Sequence, residues 1–146
     1  MKEFHGRVII PGDYNGQALV SHTGFNIYSS FMDSLINKKY PALCADVNNK
    51  ELYGKKITGQ IICVPLAIGS TTAGMVMHGA AAADIEPKAF LFARTADSLS
   101  TAGVLIADIW EKKSIIMVDG LGDEFLDTVK DGDTVDITSD GTVRVS

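Results

Sequence analysis

Apolar and polar positions divide the chain into short strands near its start, alternating strands and helices through its middle, and a hairpin at its end. Arg7-Val8-Ile9-Ile10, closed by Pro11-Gly12, and Gln17-Ala18-Leu19-Val20-Ser21 read as two strands joined by a turn rich in Gly, Asp and Asn, which predicts a hairpin. From Phe25 the apolar positions Phe25, Tyr28, Phe31, Met32, Leu35 and Ile36 fall at three- and four-residue spacing, one face of a helix. Ile61-Ile62-Cys63-Val64-Pro65 is too continuously apolar for a surface strand and predicts a central strand covered on both faces. It leads through Gly69-Ser70-Thr71-Thr72-Ala73-Gly74 into Met75 to Ala83, where small side chains would let a helix pack closely on the sheet.

Pro87 resets the chain before a strand at Ala89 to Ala93. Ser98 is placed to cap a helix with Leu99, Ala102, Leu105, Ile106 and Ile109 as its apolar stripe, and a further strand follows at Ser114 to Val118. Strands alternating with helices imply right-handed crossovers and a largely parallel centre. At the end, Thr134 to Thr138 and Thr142 to Val145 flank Ser139-Asp140-Gly141, whose Asp-Gly step is a strong hairpin signal. The expected fold is α/β: a mixed central sheet or small β/β/α barrel with flanking helices, residues 1–146 forming one domain.

With 146 residues, 46 % of them apolar, the chain fills one core without disulfides or metals. Cys44 and Cys63 show neither a Cys-x-x-Cys spacing nor a Cys/His grouping, which suggests a reducing cytoplasm and no metal held by the chain itself. The first residues lack the apolar core of a secretion signal, and the longest apolar run, Ile61 to Ile68, is far below the roughly 20 residues of a membrane span. A net charge of −5 with interleaved signs gives no basic stripe, so neither a membrane nor a nucleic acid is expected as partner.

Chemistry concentrates at the turn. Backbone N–H groups at a helix start lack intrahelical partners, and the dipole adds roughly half a positive charge, so an anion is favoured there. Gly69 and Gly74 let the backbone approach a ligand, while the hydroxyls of Ser70, Thr71 and Thr72 add donors for a carboxylate or phosphate. The same field would stabilise a Ser70 alkoxide. On spacing alone, simple N-capping is the commoner use of such residues.

Several segments together resemble the small subunit of the aconitase X dehydratases over nearly the whole chain. They are Gly24-Phe25-Asn26, Ser30-Phe31, Cys44 to Lys55, Thr58 to Pro65 and Ile68 to Gly74. The resemblance implies a swivelling β/β/α domain that pairs with a large catalytic subunit, which holds an iron–sulfur cluster or iron and most substrate contacts. It implies Ser70 as the base that removes a proton next to a carboxylate, with Gly69, Thr71, Thr72 and Asn26 at the substrate. Iron in the partner would act as Lewis acid on the departing hydroxyl. Members include bacterial cis-3-hydroxy-L-proline dehydratases and archaeal mevalonate-5-phosphate dehydratases. The archaeal kind usually carries an arginine just before the Gly-Ser pair, where this chain has Ile68. That favours an unphosphorylated hydroxy acid such as cis-3-hydroxy-L-proline. Cys44, in a polar loop, is a lesser candidate for contact with the partner's cluster. His78 supports a rival reading as a phosphohistidine-type carrier, although it lies eight residues beyond Ser70. A third reading is a non-catalytic scaffolding subunit.

Overall fold

The computed structural model describes residues 1–68 and 72–146, and of residues 99 and 100 the backbone alone. In chain order the elements are β1 Lys2–His5, β2 Arg7–Ile10, β3 Tyr14–Val20, β4 Phe25–Asn26, α1 Ile27–Ile36, β5 Ile61–Val64, β6 Ala67–Ile68 and α2 Ala73–Ala82. They continue with β7 Ala89–Phe92, α3 Ser98–Trp110, β8 Ile116–Asp119, α4 Asp123–Thr128, β9 Thr134–Ile137 and β10 Thr142–Val145. Eight strands form one sheet in the order β1-β10-β9-β3-β5-β7-β8-β2. Strands β3, β5, β7 and β8 run parallel, and the other pairings are antiparallel.

The two end strands of that order, β1 and β2, are separated in the chain by Gly6 alone. One residue cannot bridge the edges of an open eight-stranded sheet, because neighbouring strands already lie about 4.8 Å apart. The sheet therefore curls until it is nearly closed, and the Gly6 N–H donates to the Gly141 carbonyl at 3.0 Å.

The period of two along each central strand divides the core into two parts. Ile61 and Cys63 of β5, with Ala89 and Leu91 of β7, face the inside of the curled sheet among Val20, Val118, Phe125 and Val135. Ile62, Val64, Phe90 and Phe92 face outward beneath the helices, among Phe25, Phe31, Met77 and Val104. Both faces of β5 are thus covered, as its continuous apolar run requires, and each buried phenylalanine adds about 1.5–3 kcal/mol. Helices α2 and α3 approach so closely that a Cβ at Gly103 would lie 2.7 Å from the Gly74 carbonyl oxygen.

The mixed α/β architecture, the central strand and the terminal hairpin agree with the sequence pattern. Three local expectations give way to longer-range packing. β2 and β3 form no hairpin: β2 pairs with β8, while β3 lies between β9 and β5, which lets Ala18, Leu19 and Val20 be buried between two partners. Phe25 belongs to β4 rather than the first helix, and Tyr28 and Ile36 of the expected helix stripe are exposed. Among the described side chains of α3, Gly103, Val104 and Ala107 are buried, whereas Ala102, Leu105 and Ile109 face outward. The close α2–α3 crossing selects small residues and leaves the larger ones to the surface.

Candidate active site

In sheets of this kind ligands gather beyond the carboxyl ends of the parallel strands. Four segments leave the sheet there: Ser21 onward from β3, Pro65 onward from β5, Arg94 onward from β7 and Gly120 onward from β8. Of the residues expected at the site, Gly69, Ser70 and Thr71 lie outside the described residues. Their flanks are described. Ala67–Ile68 forms the short strand β6, parallel to β4 with Asn26 opposite Ile68, so the fold brings Asn26 beside the residue that precedes Gly69. Asn26 also caps α1, its Oδ1 accepting the Ser29 N–H at 2.9 Å. Thr72 is exposed and precedes α2, and its carbonyl accepts the Val76 N–H at 3.0 Å. Beside Thr72 a groove of about 260 Å³ is lined by Tyr28, Met32, Leu35, Met75 and Val76.

Beyond β3 the chain is held by a polar cluster that sequence reading did not single out. Glu51 accepts the His22 N–H at 2.7 Å and lies 2.8 Å from His22 Nδ1, and the buried Ser21 hydroxyl donates to it at 3.2 Å. Burial raises the Glu51 carboxyl, but the hydrogen bonds and charge from His22 outweigh it and hold the group below the ordinary range. A cleft of about 350 Å³ opens here between His22, Lys50, Glu51, Lys55, Lys130 and Asp131.

Beyond β7 the loop is tied at several points. The Arg94 N–H donates to the Pro65 carbonyl and the Gly120 N–H to the Arg94 carbonyl, both at 3.0 Å. The Ala96 N–H donates to Asp119 Oδ2 at 2.7 Å. Arg7 grips the same carboxylate with both arms, Nε to Oδ1 at 2.9 Å and Nη2 to Oδ2 at 2.7 Å. The Asp119 side chain is only 2 % exposed. Burial raises its carboxyl, yet the Arg7 hydrogen bonds, the Ala96 N–H and the guanidinium charge together leave it below the usual carboxylate range. The signal available in the sequence was an aspartate directly ending the apolar run Ile115 to Val118.

Cys44 does not fit the role of an accessible ligand: it is buried in the core under α1, 3.5 Å from the Ser30 hydroxyl. Cys63 is fully buried, and burial with the charges of Asp131 and Asp133 pushes its thiol far up. Among the described residues no group of three or more His, Cys, Asp or Glu is placed to hold a metal ion, so they do not fit an iron or iron–sulfur group. His78 sits mid-helix in α2, its Nε2 2.9 Å from Glu111 and its ring edge-on to Trp110. No helix among the described residues is long and apolar enough to cross a membrane.

A nearly closed mixed sheet with helices packed outside its parallel strands defines the class as a mixed α/β domain. The sequence profile of the aconitase X swivel domain matches residues 3–145, and the chain belongs to that family. The phosphomevalonate dehydratase small subunits of Methanocella arvoryzae and Aeropyrum pernix are each 33 % identical to it, over 94 and 92 residues. These stretches cover 64 % and 63 % of this chain, and the chain spans 64 % of the length of the curated relatives it matches. The holo-form crystal structure of Thermococcus kodakaraensis aconitase X superposes with a TM-score of 0.81 at 24 % identity, over 100 % of this chain and 99 % of that one. The solution NMR structure of a UPF0107 protein superposes with a TM-score of 0.78 at 21 % identity, over 99 % of both chains. At these identities the structural likeness concerns the fold.

Proposed function

We propose that this chain is the small subunit of a two-subunit cytoplasmic hydro-lyase, in which Ser70 removes the proton next to the carboxylate of a small hydroxy acid. A large subunit completes the site and holds the iron–sulfur cluster or iron. The observation that carries the reading is membership of the aconitase X swivel family, and it is supported by β6 and α2, the described elements on either side of residues 69–71, which follow the carboxyl end of the central strand β5. The field at a helix start favours both a bound carboxylate and a serine alkoxide. The carbon–hydrogen bond breaks towards the Ser70 oxygen, while departure of the hydroxyl is left to groups outside this chain. The apolar groove of Tyr28, Met32 and Met75 beside Thr72 offers surface to the large subunit.

As substrate we favour cis-3-hydroxy-L-proline or a related hydroxy acid. The support is Ile68, half-exposed and uncharged where the archaeal phosphomevalonate type carries an arginine. A second reading, a phosphorylated hydroxy acid, is favoured by the names of the two archaeal relatives.

The test is steady-state kinetics on the enzyme reconstituted with its large subunit, using cis-3-hydroxy-L-proline first and mevalonate 5-phosphate second. Ser70→Ala is expected to keep the fold and lower turnover by about 10²–10⁴-fold. A serine that only caps α2 would instead cost about 0.5–2 kcal/mol of stability and leave turnover nearly unchanged, and that result would overturn the assignment.

A further inference from the structure

We propose that the cleft at the amino ends of the parallel strands binds a small zwitterion of the α-amino acid class, its ammonium held by Glu86 and its carboxylate by Lys112 and Lys88. Three segments build the cleft: Thr58 and Gly59 before β5, Glu86 and Lys88 before β7, and Lys112 and Ser114 before β8. Its volume is about 400 Å³, and Tyr40 lines both this cavity and a second of about 150 Å³ formed with Ser34, Leu35 and Ile85. The larger cavity is of the size that takes a small molecule.

Each cavity has a buried polar atom in its lining that lacks a bond. Glu86 Oε2 and Ser34 Oγ are buried and, among the described residues, have no hydrogen-bond partner, Ser34 being only 1 % exposed. An unpaired buried oxygen is costly, and a ligand that brings a donor removes that cost. Burial raises the Glu86 carboxyl above its ordinary range, more than the charge of Lys113 lowers it. The cations nearby point to the other end of the ligand. Asp84 is taken up by Lys113, so the exposed Lys112 has no carboxylate partner among the described residues, and Lys88 lies over the Tyr14 ring at 5.1 Å. A ligand that supplies a donor to Glu86 and an anion to the lysines is a zwitterion.

The backbone around the cleft supports this use. Lys38, Asp84 and Lys112 lie two residues beyond the ends of α1, α2 and α3, in left-handed conformation with φ +51°, +60° and +53°. Among the described residues they are the non-glycine residues of positive φ, and all three line the two cavities. Behind each, the next N–H turns back to its helix, Lys39 to the Ser34 carbonyl and Ile85 to that of Ala80 at 2.9 Å, Lys113 to that of Ala107 at 3.1 Å. Glycine is the least strained residue at such a position. The chain instead keeps a charged side chain at all three, and strain of this kind gathers where side chains are used. Attraction to the negative end of a helix accounts for the two lysines but not for Asp84, whose charge has the opposite sign.

The experiment is an amide NMR titration of the full chain with L-alanine and L-proline, with acetate and methylammonium as single-charge probes, in wild type, Glu86→Gln and Lys112→Gly, with a melting temperature for each. The amino acids are expected to shift the amides of residues 58, 59, 84–86, 88 and 112–114, and the single-charge probes to bind at least about 10-fold more weakly. Glu86→Gln should weaken amino-acid binding by about 10–150-fold, the range of a hydrogen bond to a charged group. Lys112→Gly should weaken binding while raising the melting temperature, because glycine relieves the left-handed backbone; a lysine that serves only the helix end would not couple these effects. No shift at millimolar amino acid, acetate or methylammonium binding as tightly as the amino acids, or affinity unchanged in either variant would each overturn the proposal. The measurement involves neither Ser70 nor a large subunit, so its failure leaves the proposed dehydratase role standing.

Discussion

The turn between β9 and β10 closes on its own side chains, whereas the loop between β7 and α3 is held by residues elsewhere in the chain. The turn is closed from within, Thr138 Oγ1 donating to Asp140 Oδ1 at 2.6 Å, the Thr142 N–H to the same oxygen at 3.0 Å and the Gly141 N–H to the Thr138 carbonyl at 3.0 Å, and two further bonds tie it outward, the Ser139 N–H to Asp13 Oδ1 at 2.9 Å and the Gly6 N–H to the Gly141 carbonyl at 3.0 Å. Gly141 supplies the left-handed backbone, φ +89°, that closes it. The loop from Arg94 to Asp97 is braced from outside, by Pro65, by Gly120, and by an aspartate 23 residues further on that is itself gripped from β2. A turn closed by its own side chains keeps its shape as a structural unit. A loop braced from a distance has a fixed backbone that does not depend on its own exposed side chains, the division of labour expected between scaffold and site.

Three substitutions test this contrast. The largest loss of stability is expected from Gly141→Ala, since a side chain there must adopt a left-handed backbone and its Cβ would lie 2.6 Å from the Gly6 carbonyl oxygen. Strain and overlap together should cost about 2–4 kcal/mol, read from the urea midpoint, and a cost near zero would mean that the turn is not a structural unit. Asp119→Ala should cost less, about 1–3 kcal/mol, because it strands the Ala96 N–H but releases an Arg7 that can turn to water. Its distinguishing result is local: amide exchange of residues 94–97 should rise while that of residues 138–142 stays as in wild type. Equal change in both loops would end the distinction.

The smallest effect concerns acid. The Asp140 carboxyl is lowered to about 2 by hydrogen bonds from Thr138 and Thr142. A carboxyl lowered in the folded state adds stability that is complete above its unfolded value near 4 and is lost as the pH falls through its folded value. Asp140→Asn should therefore be less stable than wild type at pH 6 and converge with it between about pH 4 and pH 2, followed by urea midpoints across that range. A difference that persists at pH 2 would remove the carboxylate as its cause.

The same contrast explains what could be read from the sequence. Ser139-Asp140-Gly141 announced its hairpin because the bonds that make it lie between adjacent residues. The runs Ile61 to Val64 and Ala89 to Phe92 announced buried strands because burial on both faces leaves no polar position. The pairing of β2 with β8 and the outward turn of Leu105 and Ile109 were not legible, because each depends on a neighbour more than 20 residues away or on the close crossing at Gly103. Among the candidate site residues, the Gly-Ser pair and Asn26 stood out as motifs. The packing of the Arg94 loop against Asp119 was not legible, since nothing in Phe-Ala-Arg-Thr or Met-Val-Asp-Gly shows that the two loops lie side by side.

The single-residue link between β1 and β2 also governs the order in which the molecule can be assembled. β1 has β10 as its sheet partner, Lys2 facing Val145 and His5 facing Thr142, so β1 waits for β10 before it can pair. β2 waits likewise for β8. The parallel centre from β3 to β8 can collapse before β10 is available, but curling the sheet shut carries the loop-closure entropy of all the residues between β1 and β10. Until β1 and β2 find these partners the sheet is open and has two adhesive margins.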